Sequence, residues 1–240
     1  MVASTGTSRA DDSRAADLDT DTVVALREIL NHPALPVGTT LADGGGPRVA
    51  VLREALDHLT TLRVTAIAAR STADGDRLLV ALAGIDAGLA DTLRWHVALA
   101  PVIAEASPGR ARNGLLGDIG RGEVITWSDA VRSWTWEQGH VPVPDLPLGR
   151  VTGEVEVDDH PSLYDAVLVW EPTARALVVV PTHRDRVTWT PVGPADANGR
   201  TRWVLALDRV TFHADDLVPL DAREQPGWRE PPAGAFAGIR

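Results

Sequence analysis

The run Asp158-Asp159-His160 is the first candidate for chemistry in this sequence, because carboxylates and imidazole both bind metal ions. Adjacent residues of a strand point to opposite faces of the sheet, so three consecutive side chains rarely converge on one ion. We interpret the run as a turn that ends a strand, and we predict no metal site there.

His96 and a pair of tryptophans are the other candidates. His96 follows Trp95 in an apolar stretch, and a general base would need an orienting partner that the sequence does not reveal. A hydrogen-bonded histidine, either in the interior or in the lining of a groove, is the favoured interpretation. Trp134 and Trp136 share one face of a predicted strand, where their indoles either fill the core or line the pocket of a flat ligand.

Composition excludes several classes of protein. The 240 residues include no cysteine and no lysine, which excludes disulfides, thiolate chemistry, Schiff-base catalysis and a phosphate-binding P-loop lysine. The net charge of −10 makes binding to nucleic acid unfavourable. No apolar run is long enough to span a bilayer, and the acidic N-terminus lacks the apolar segment of a secretory signal, so we expect a cytoplasmic protein.

Apolar residues at helical spacing predict an all-helical first half. The five predicted helices run from Thr20 or Asp21 to just before Pro33, from Pro47 past Leu59, along Leu78 to Leu89, from about Asp91 to a bend or stop at Pro101, and from Ser107 to near Gly120 or Gly122.

After Gly122 the pattern changes to short β-branched and aromatic runs between Pro and Gly turns, which predicts strands. Seven are predicted, at 124–127, 132–136, 151–157, 166–170, 176–180, 187–190 and 203–210. The sequence therefore predicts an α+β fold, in which an N-terminal helical domain (20–121) precedes an antiparallel β-barrel or sandwich-like domain (122–222). A disordered tail (1–19) and a Pro/Gly-rich tail (223–240) are expected to flank them.

The order of motifs in both halves resembles the acyl-CoA dehydrogenase superfamily. In the β half, the strand VTGEVEV (151–157) is followed by YDAVLV (164–169), and LDRVTF (207–212) is followed by DDLVPL (215–220). In the helical half, RWH (94–96) is similar to the end of the family's helix pair near a histidine, and LLGDIGRGE (115–123) is similar to the segment that leads into its β-domain.

This resemblance implies an FAD-dependent oxidoreductase that acts on an acyl thioester. It places Trp134, Trp136, Val157 and Asp159 at the flavin and Trp95 and His96 at the substrate. It identifies no catalytic base.

The sequence also departs from the family. The family's Thr-Glu-Pro and Gly-Ser-Asp loop is replaced by SDAVRSWTW (128–136), and its flavin-contacting Trp-x-Thr falls at Val157 and Asp159. A carboxylate beside a flavin that accepts hydride is electrostatically unfavourable unless it is protonated or turned away. The family's C-terminal helical bundle has no counterpart here, so we expect a truncated member.

Two functions are compatible with these departures. The chain is either a subunit whose flavin site is completed by a partner that supplies a helical bundle or by a second copy, or a flavin-free protein of the same fold that is repurposed for binding, scaffolding or a non-redox biosynthetic step. A homo- or hetero-oligomer is expected in the first case, with apolar side chains exposed where the bundle docks. A third interpretation is that the chain is a fragment of a protein encoded by a longer open reading frame.

Overall fold

A computed structural model describes residues 18–31, 47–128, 130–138, 149–171, 175–193 and 201–220. The predicted tails lie outside these residues, apart from Leu18 and Asp19. The order of elements confirms the predicted α+β class, because helices occupy the first half and strands the second. None of the described helices combines the length and the apolar character needed to cross a membrane.

Five α-helices make up most of the described part of the first half. They are α1 (Thr20–Asn31), α2 (Pro47–Thr61), α3 (Thr72–Ala83), α4 (Ala87–Glu105) and α5 (Arg110–Arg121). Side-chain oxygens cap three of them at the N-terminus, where backbone N–H groups have no helical acceptor. The capping contacts are from Thr22 N–H to Asp19, from Asp74 N–H to Ser71 and from Leu89 N–H to Asp86.

The predicted boundary between the third and fourth helices is wrong. The apolar stripe from Leu78 to Leu89 belongs to two helices, because Gly84 ends α3 and the Asp86 cap begins α4. Of the bend or stop predicted at Pro101, the stop is excluded, because α4 continues to Glu105. A proline inside a helix costs roughly 3 kcal/mol, and the fully buried side chains along α4, from Leu89 to Ile103, offset that cost.

The described residues of the second half form eight strands in two four-stranded sheets. They are β1 (Ile125–Ser128), β2 (Ala130–Gln138), β3 (Gly149–Asp158), β4 (Ala166–Glu171), β5 (Ala176–Pro181), β6 (Val187–Val192), β7 (Arg202–Phe212) and β8 (Leu217–Pro219). The strand orders are β1-β4-β5-β8 and β2-β3-β7-β6. Strand β3 alternates buried and exposed residues as predicted, with Val151, Val155 and Val157 towards the core.

The β half is sandwich-like, and its described strands do not close into a barrel. It is also not purely antiparallel, because β1 pairs with β4 in parallel, from Ile125 opposite Ala166 to Ser128 opposite Val169. The chain passes through β2 and β3 of the other sheet before it returns to β4, so β4 can re-enter beside β1 in the same direction.

The two halves meet at Gly122, which ends α5 with a positive φ of 102°. A Cβ at this position would lie 2.6 Å from Thr60 Cγ2 and 2.9 Å from the Thr60 carbonyl oxygen. The Gly122 carbonyl accepts hydrogen bonds from the hydroxyls of Thr60 (2.9 Å) and Thr65 (3.2 Å). Both the backbone conformation and the close approach of α2 therefore require glycine here.

We expect Gly122→Ala to lower the free energy of unfolding by about 3 kcal/mol, because it adds left-handed strain to a steric overlap with backbone. Denaturant unfolding measures the change. The matched control is Gly120→Ala, where the new methyl group meets nothing within 4 Å inside α5; it should stabilise by about 0.5–1 kcal/mol. Equal changes in the free energy of unfolding for the two variants would contradict the close contact between Gly122 and Thr60.

Candidate functional site

The end of strand β3 lies against helix α4 and forms the candidate site. We call it the β3–α4 junction and define it by Arg94, Trp95, Asp158, Asp159 and Tyr164. The Arg94 guanidinium donates to Asp158 Oδ2 (2.9 Å) and lies 5.4 Å from the centre of the Trp95 ring. This arginine therefore joins the helical half to the strand that carries Val157 and leads into Asp159, two of the four predicted flavin-side residues.

Asp159 is turned into the protein. Its φ of 77° is unusual for a residue other than glycine, and only 8% of its surface is exposed. The hydroxyl of Tyr164 donates to Asp159 Oδ2 at 3.5 Å. Burial, followed by the negative charge of Asp159, raises the pKa of Tyr164 well above its ordinary value, so the phenol stays protonated and remains a donor.

The side chains of the Asp158-Asp159-His160 run have different partners. Asp158 pairs with Arg94, and Asp159 accepts from Tyr164. His160 Nδ1 accepts from the Ser162 N–H (3.2 Å), and its ring meets Trp203 edge-on at 4.6 Å. No group of three or more His, Asp or Glu side chains in the described part of the chain is arranged to hold a metal ion.

Trp134 and Trp136 lie on the inner face of β2, opposite Gly153 and Val151 of β3. Both are partly buried and pack against the core. Trp136 stacks on the fully buried Phe212, with ring centres 6.2 Å apart. A Cβ at Gly153 would lie 2.5 Å from the Ser133 carbonyl oxygen, so β2 approaches β3 too closely there for any larger residue.

The structure divides the predicted flavin-side residues into two groups. Val157 and Asp159 are at the β3–α4 junction, whereas Trp134 faces Gly153 four residues earlier along β3. At 3.3 Å per residue, about 13 Å of strand separates the two groups. Trp95, predicted on the substrate side, belongs with the first group through its contact with Arg94.

His96 is fully buried between the two halves. Its Nδ1 accepts from the Ile125 N–H (3.3 Å), so its Nε2 is the donor to the Thr65 carbonyl oxygen (3.1 Å). Burial lowers the pKa of His96 to about 4, although the Thr65 hydrogen bond and the charge of Asp165 oppose the shift. Both ring nitrogens of this neutral histidine are therefore occupied by backbone groups of the protein.

An open groove of about 550 Å³ lies beside the junction, between α2 and the β half. Its lining includes Arg53 and Asp57 of α2, and Tyr164 and Asp165 on the opposite wall. The Arg53 guanidinium donates to the Ser162 carbonyl oxygen (2.8 Å) and lies 3.0 Å from Asp57 and 3.9 Å from Asp165. These contacts bridge the groove and join the helical half to the β half, as the Arg94–Asp158 pair does.

Sequence reasoning missed the bridging role of Arg53 and Arg94 because each meets its partner far along the chain. Arg53 and Ser162 are 109 residues apart, and Arg94 and Asp158 are 64 apart. Helical periodicity places both arginines at the surface of their helices but says nothing about what they face. Tyr164 is the only tyrosine in the chain, and its position shortly after Asp159 was the one available signal.

No family model and no curated protein matches the sequence. Solved structures do match: a glutaryl-CoA dehydrogenase from Mycobacterium smegmatis in complex with FADH2 (TM-score 0.55, 14% identity, 88% of this chain and 58% of that chain) and the butyryl-CoA dehydrogenase of Megasphaera elsdenii (0.57, 11%, 87% and 61%). The ChsE4-ChsE5 complex from Mycobacterium tuberculosis also matches (0.54, 15%, 89% and 58%).

These similarities confirm the expected fold. The chain has the fold of acyl-CoA dehydrogenases across its helical and β halves, and it spans about 58% of the length of the first of these structures. Sequence identities of 11–15% support the fold and nothing finer.

Two of the four residues that the family resemblance places at the flavin, Val157 and Asp159, do not fit an isoalloxazine ring. Val157 is 1% exposed and packs in the core opposite Trp203, so it offers the ring no surface. Asp159 offers a carboxylate that already accepts from Tyr164, and it is not a donor for a flavin that gains electrons. These two positions of the chain therefore do not provide a flavin site.

The buried His96 generates a prediction about pH. Because its folded pKa of about 4 is below the ordinary value of 6.5, the unfolded chain binds a proton first as the pH falls. The contribution of the neutral His96 to the free energy of unfolding is fully present above about pH 6.5 and is lost progressively as the pH falls to about 4. The total loss over this range is roughly 3 kcal/mol. Unfolding free energies measured across this range provide the test.

His96→Gln is the matched variant, since an amide can accept from Ile125 and donate to Thr65 without titrating. Between pH 6.5 and 4, the free energy of unfolding should fall by roughly 3 kcal/mol less in this variant than in the wild type. Identical pH profiles for the two proteins would contradict the assignment of a buried neutral imidazole.

Proposed function

We propose that this chain is a subunit of an acyl-CoA-dehydrogenase-type oxidoreductase that acts on an acyl thioester, and that a partner chain supplies a helical bundle and the flavin site. One observation supports the proposal: the described elements around the β3–α4 junction have the family's fold, but Val157 and Asp159 are buried where the family resemblance places flavin contacts. In this proposal the chain supplies the scaffold, and the groups that hold the cofactor come from the partner.

The chain's contribution in this proposal is to position and cover the thioester. Trp95 is partly buried beside Arg94, and the contact with the guanidinium restricts the orientation of its ring at the β3–α4 junction. His96 fixes α4 to β1 and so sets the position of Trp95, its neighbour on the helix. Trp134 and Trp136 offer a second partly exposed aromatic surface, on β2.

A complex of two chains has a precedent in this fold, since one of the similar structures is the ChsE4-ChsE5 complex. The surface of the described residues is compatible with docking at several points. Four large apolar side chains are exposed there, namely Val24 of α1, Leu62 after α2, Val80 of α3 and Val131 of β2. Val80 is the most exposed of them, at 66%.

The second candidate function is a flavin-free protein of this fold that binds, scaffolds or catalyses a non-redox step. The same interior position of Asp159 favours it, because the carboxylate is satisfied by Tyr164 without any cofactor. The two candidates differ in whether acyl thioester oxidation by the assembly requires this chain.

The test is to co-express the tagged chain with acyl-CoA-dehydrogenase-fold proteins encoded beside its gene, and to assay the purified complex for thioester-dependent dye reduction. We expect a stable complex with flavin absorbance whose dye reduction is absent from either chain alone. Trp95→Ala should raise KM by about tenfold, or roughly 1.4 kcal/mol of lost binding, while the mass of the complex stays the same.

Trp189→Ala is the matched control, since Trp189 is a partly buried tryptophan on β6, in the edge strand away from β2. It should leave KM unchanged. If the partner chain alone reduces dye as well as the complex does, the oxidoreductase proposal is refuted. A stable complex with no flavin absorbance would favour the flavin-free function.

A further inference from the structure

A serine hydroxyl and a histidine ring lie within hydrogen-bond distance of each other shortly after β3. Ser162 Oγ is 2.7 Å from Nδ1 of His160, at the 3₁₀ turn Pro161–Leu163. The Ser162 backbone N–H also points to Nδ1, at 3.2 Å. Because that N–H can only donate, Nδ1 carries no proton, and the Ser162 hydroxyl therefore donates to it as well. A hydroxyl that donates to an unprotonated imidazole nitrogen is the arrangement of an activated serine nucleophile.

Packing fixes the orientation of the His160 ring. Only 4% of the residue is exposed, and its ring meets the Trp203 ring of β7 edge-on, with ring centres 4.6 Å apart. A general base must be held within hydrogen-bond reach of the proton that it takes, and a distance of 2.7 Å to Ser162 Oγ meets that requirement. The ring is therefore placed to act as a base towards this one hydroxyl.

Ser162 is half-buried and belongs to the lining of the open groove between α2 and the β half. The groove volume of about 550 Å³ is in the range of sites for small organic molecules. Arg53 of α2 lies in the same groove, and its Nη1 donates to the Ser162 carbonyl oxygen at 2.8 Å. The guanidinium therefore places a positive charge beside Ser162, and such a charge stabilises an oxyanion that forms on an attacked carbonyl group.

The charges of the groove favour substrates without negative groups. Glu54, Asp57 and Asp165 bring three carboxylates to its lining, against the one guanidinium of Arg53. Acyl compounds that carry phosphate or carboxylate groups are disfavoured here, because like charges repel when they are brought together in a binding site. The matching substrate class is a neutral or cationic carboxylic ester or thioester.

We propose that Ser162 and His160 form a nucleophile and base pair that hydrolyses neutral or cationic esters and thioesters in this groove. Ser162 Oγ attacks the acyl carbonyl carbon while His160 Nδ1 takes the hydroxyl proton. The bond from that carbon to the leaving sulfur or oxygen then breaks, and the leaving group takes the proton from Nδ1.

Water completes the reaction. It attacks the acyl-serine and gives one proton to Nδ1, which returns it to Ser162 Oγ as the carboxylic acid leaves. One thioester and one water thus become one acid and one thiol, and nothing is oxidised or reduced. The site is independent of the proposed flavin-bearing partner, because all of its residues belong to this chain.

The first experiment follows thiol release from acetylthiocholine, a cationic thioester, by the purified full chain without a partner. The chain has no cysteine, so a thiol-reactive dye reports only the product. We expect saturable hydrolysis above the rate in buffer. The value of kcat/KM for acetyl-CoA, which carries phosphates, should be lower by about tenfold or more.

Substitutions at the pair separate catalysis from structure. Ser162→Ala keeps the backbone N–H that donates to His160, and His160→Asn keeps an acceptor for that N–H but cannot take a proton. Each should lower kcat by about 100-fold or more. The matched control is Ser133→Ala, at an exposed serine of β2, which should keep the wild-type kcat. Circular dichroism establishes that each variant is folded.

A fluorophosphonate probe gives a readout that does not depend on turnover, because it forms a covalent bond with an activated serine. Mass spectrometry of the digested chain should find the probe on Ser162. The label should be absent from Ser162→Ala and should form about 100-fold more slowly in His160→Asn.

A wild-type chain that releases thiol no faster than buffer would overturn the proposal. So would hydrolysis that survives in folded Ser162→Ala or His160→Asn, or a probe that reacts at a different serine. Faster hydrolysis of acetyl-CoA than of acetylthiocholine would overturn the substrate class. These outcomes do not bear on whether a flavin-bearing partner exists, which the co-expression experiment decides separately.

Discussion

A single buried imidazole joins the two halves of this protein. His96 of α4 accepts from the first residue of β1 and donates to the 3₁₀ helix Thr65–Ala69, so one side chain links three elements. An unpaired imidazole at this depth would cost a few kcal/mol, which makes the hydrogen-bonded arrangement strongly preferred over any alternative docking of the halves. The threonine hydroxyls on the Gly122 carbonyl add a second polar contact at the same joint.

The positions of Arg94 and Trp95 relative to the end of β3 depend on this joint. With α4 fixed against β1, Arg94 and Trp95 are presented to the end of β3, and Arg94 reaches Asp158. The same end of β3 then turns at Asp159, whose positive φ directs the carboxylate inwards to Tyr164. A positive φ at a residue other than glycine persists only where surrounding contacts enforce it. At Asp159 those contacts direct the carboxylate into the interior, at a position that the family resemblance assigns to the flavin.

Helices and strands were largely predictable from the sequence because their apolar periodicities reflect one shared core. The alternation of Val151, Val155 and Val157 correctly indicates the buried face of β3. The end of α3 was not predictable, because Leu78, Leu82, Ile85 and Leu89 keep helical spacing across a chain reversal at Gly84. Nor was the parallel pairing of β1 with β4, since period-two patterns carry no information about strand direction. The site was predictable only as a set of residues, because the turn at Asp159 and the reach of Arg94 depend on tertiary contacts.

The absorption spectrum of the purified chain after gel filtration with excess FAD tests the central claim most directly. Because Val157 and Asp159 are part of the interior, we predict that the chain elutes without flavin absorbance and that FAD follows separately. Flavin absorbance that coelutes with the chain at one FAD per chain would contradict the account, since it would mean that this chain holds the cofactor without a partner.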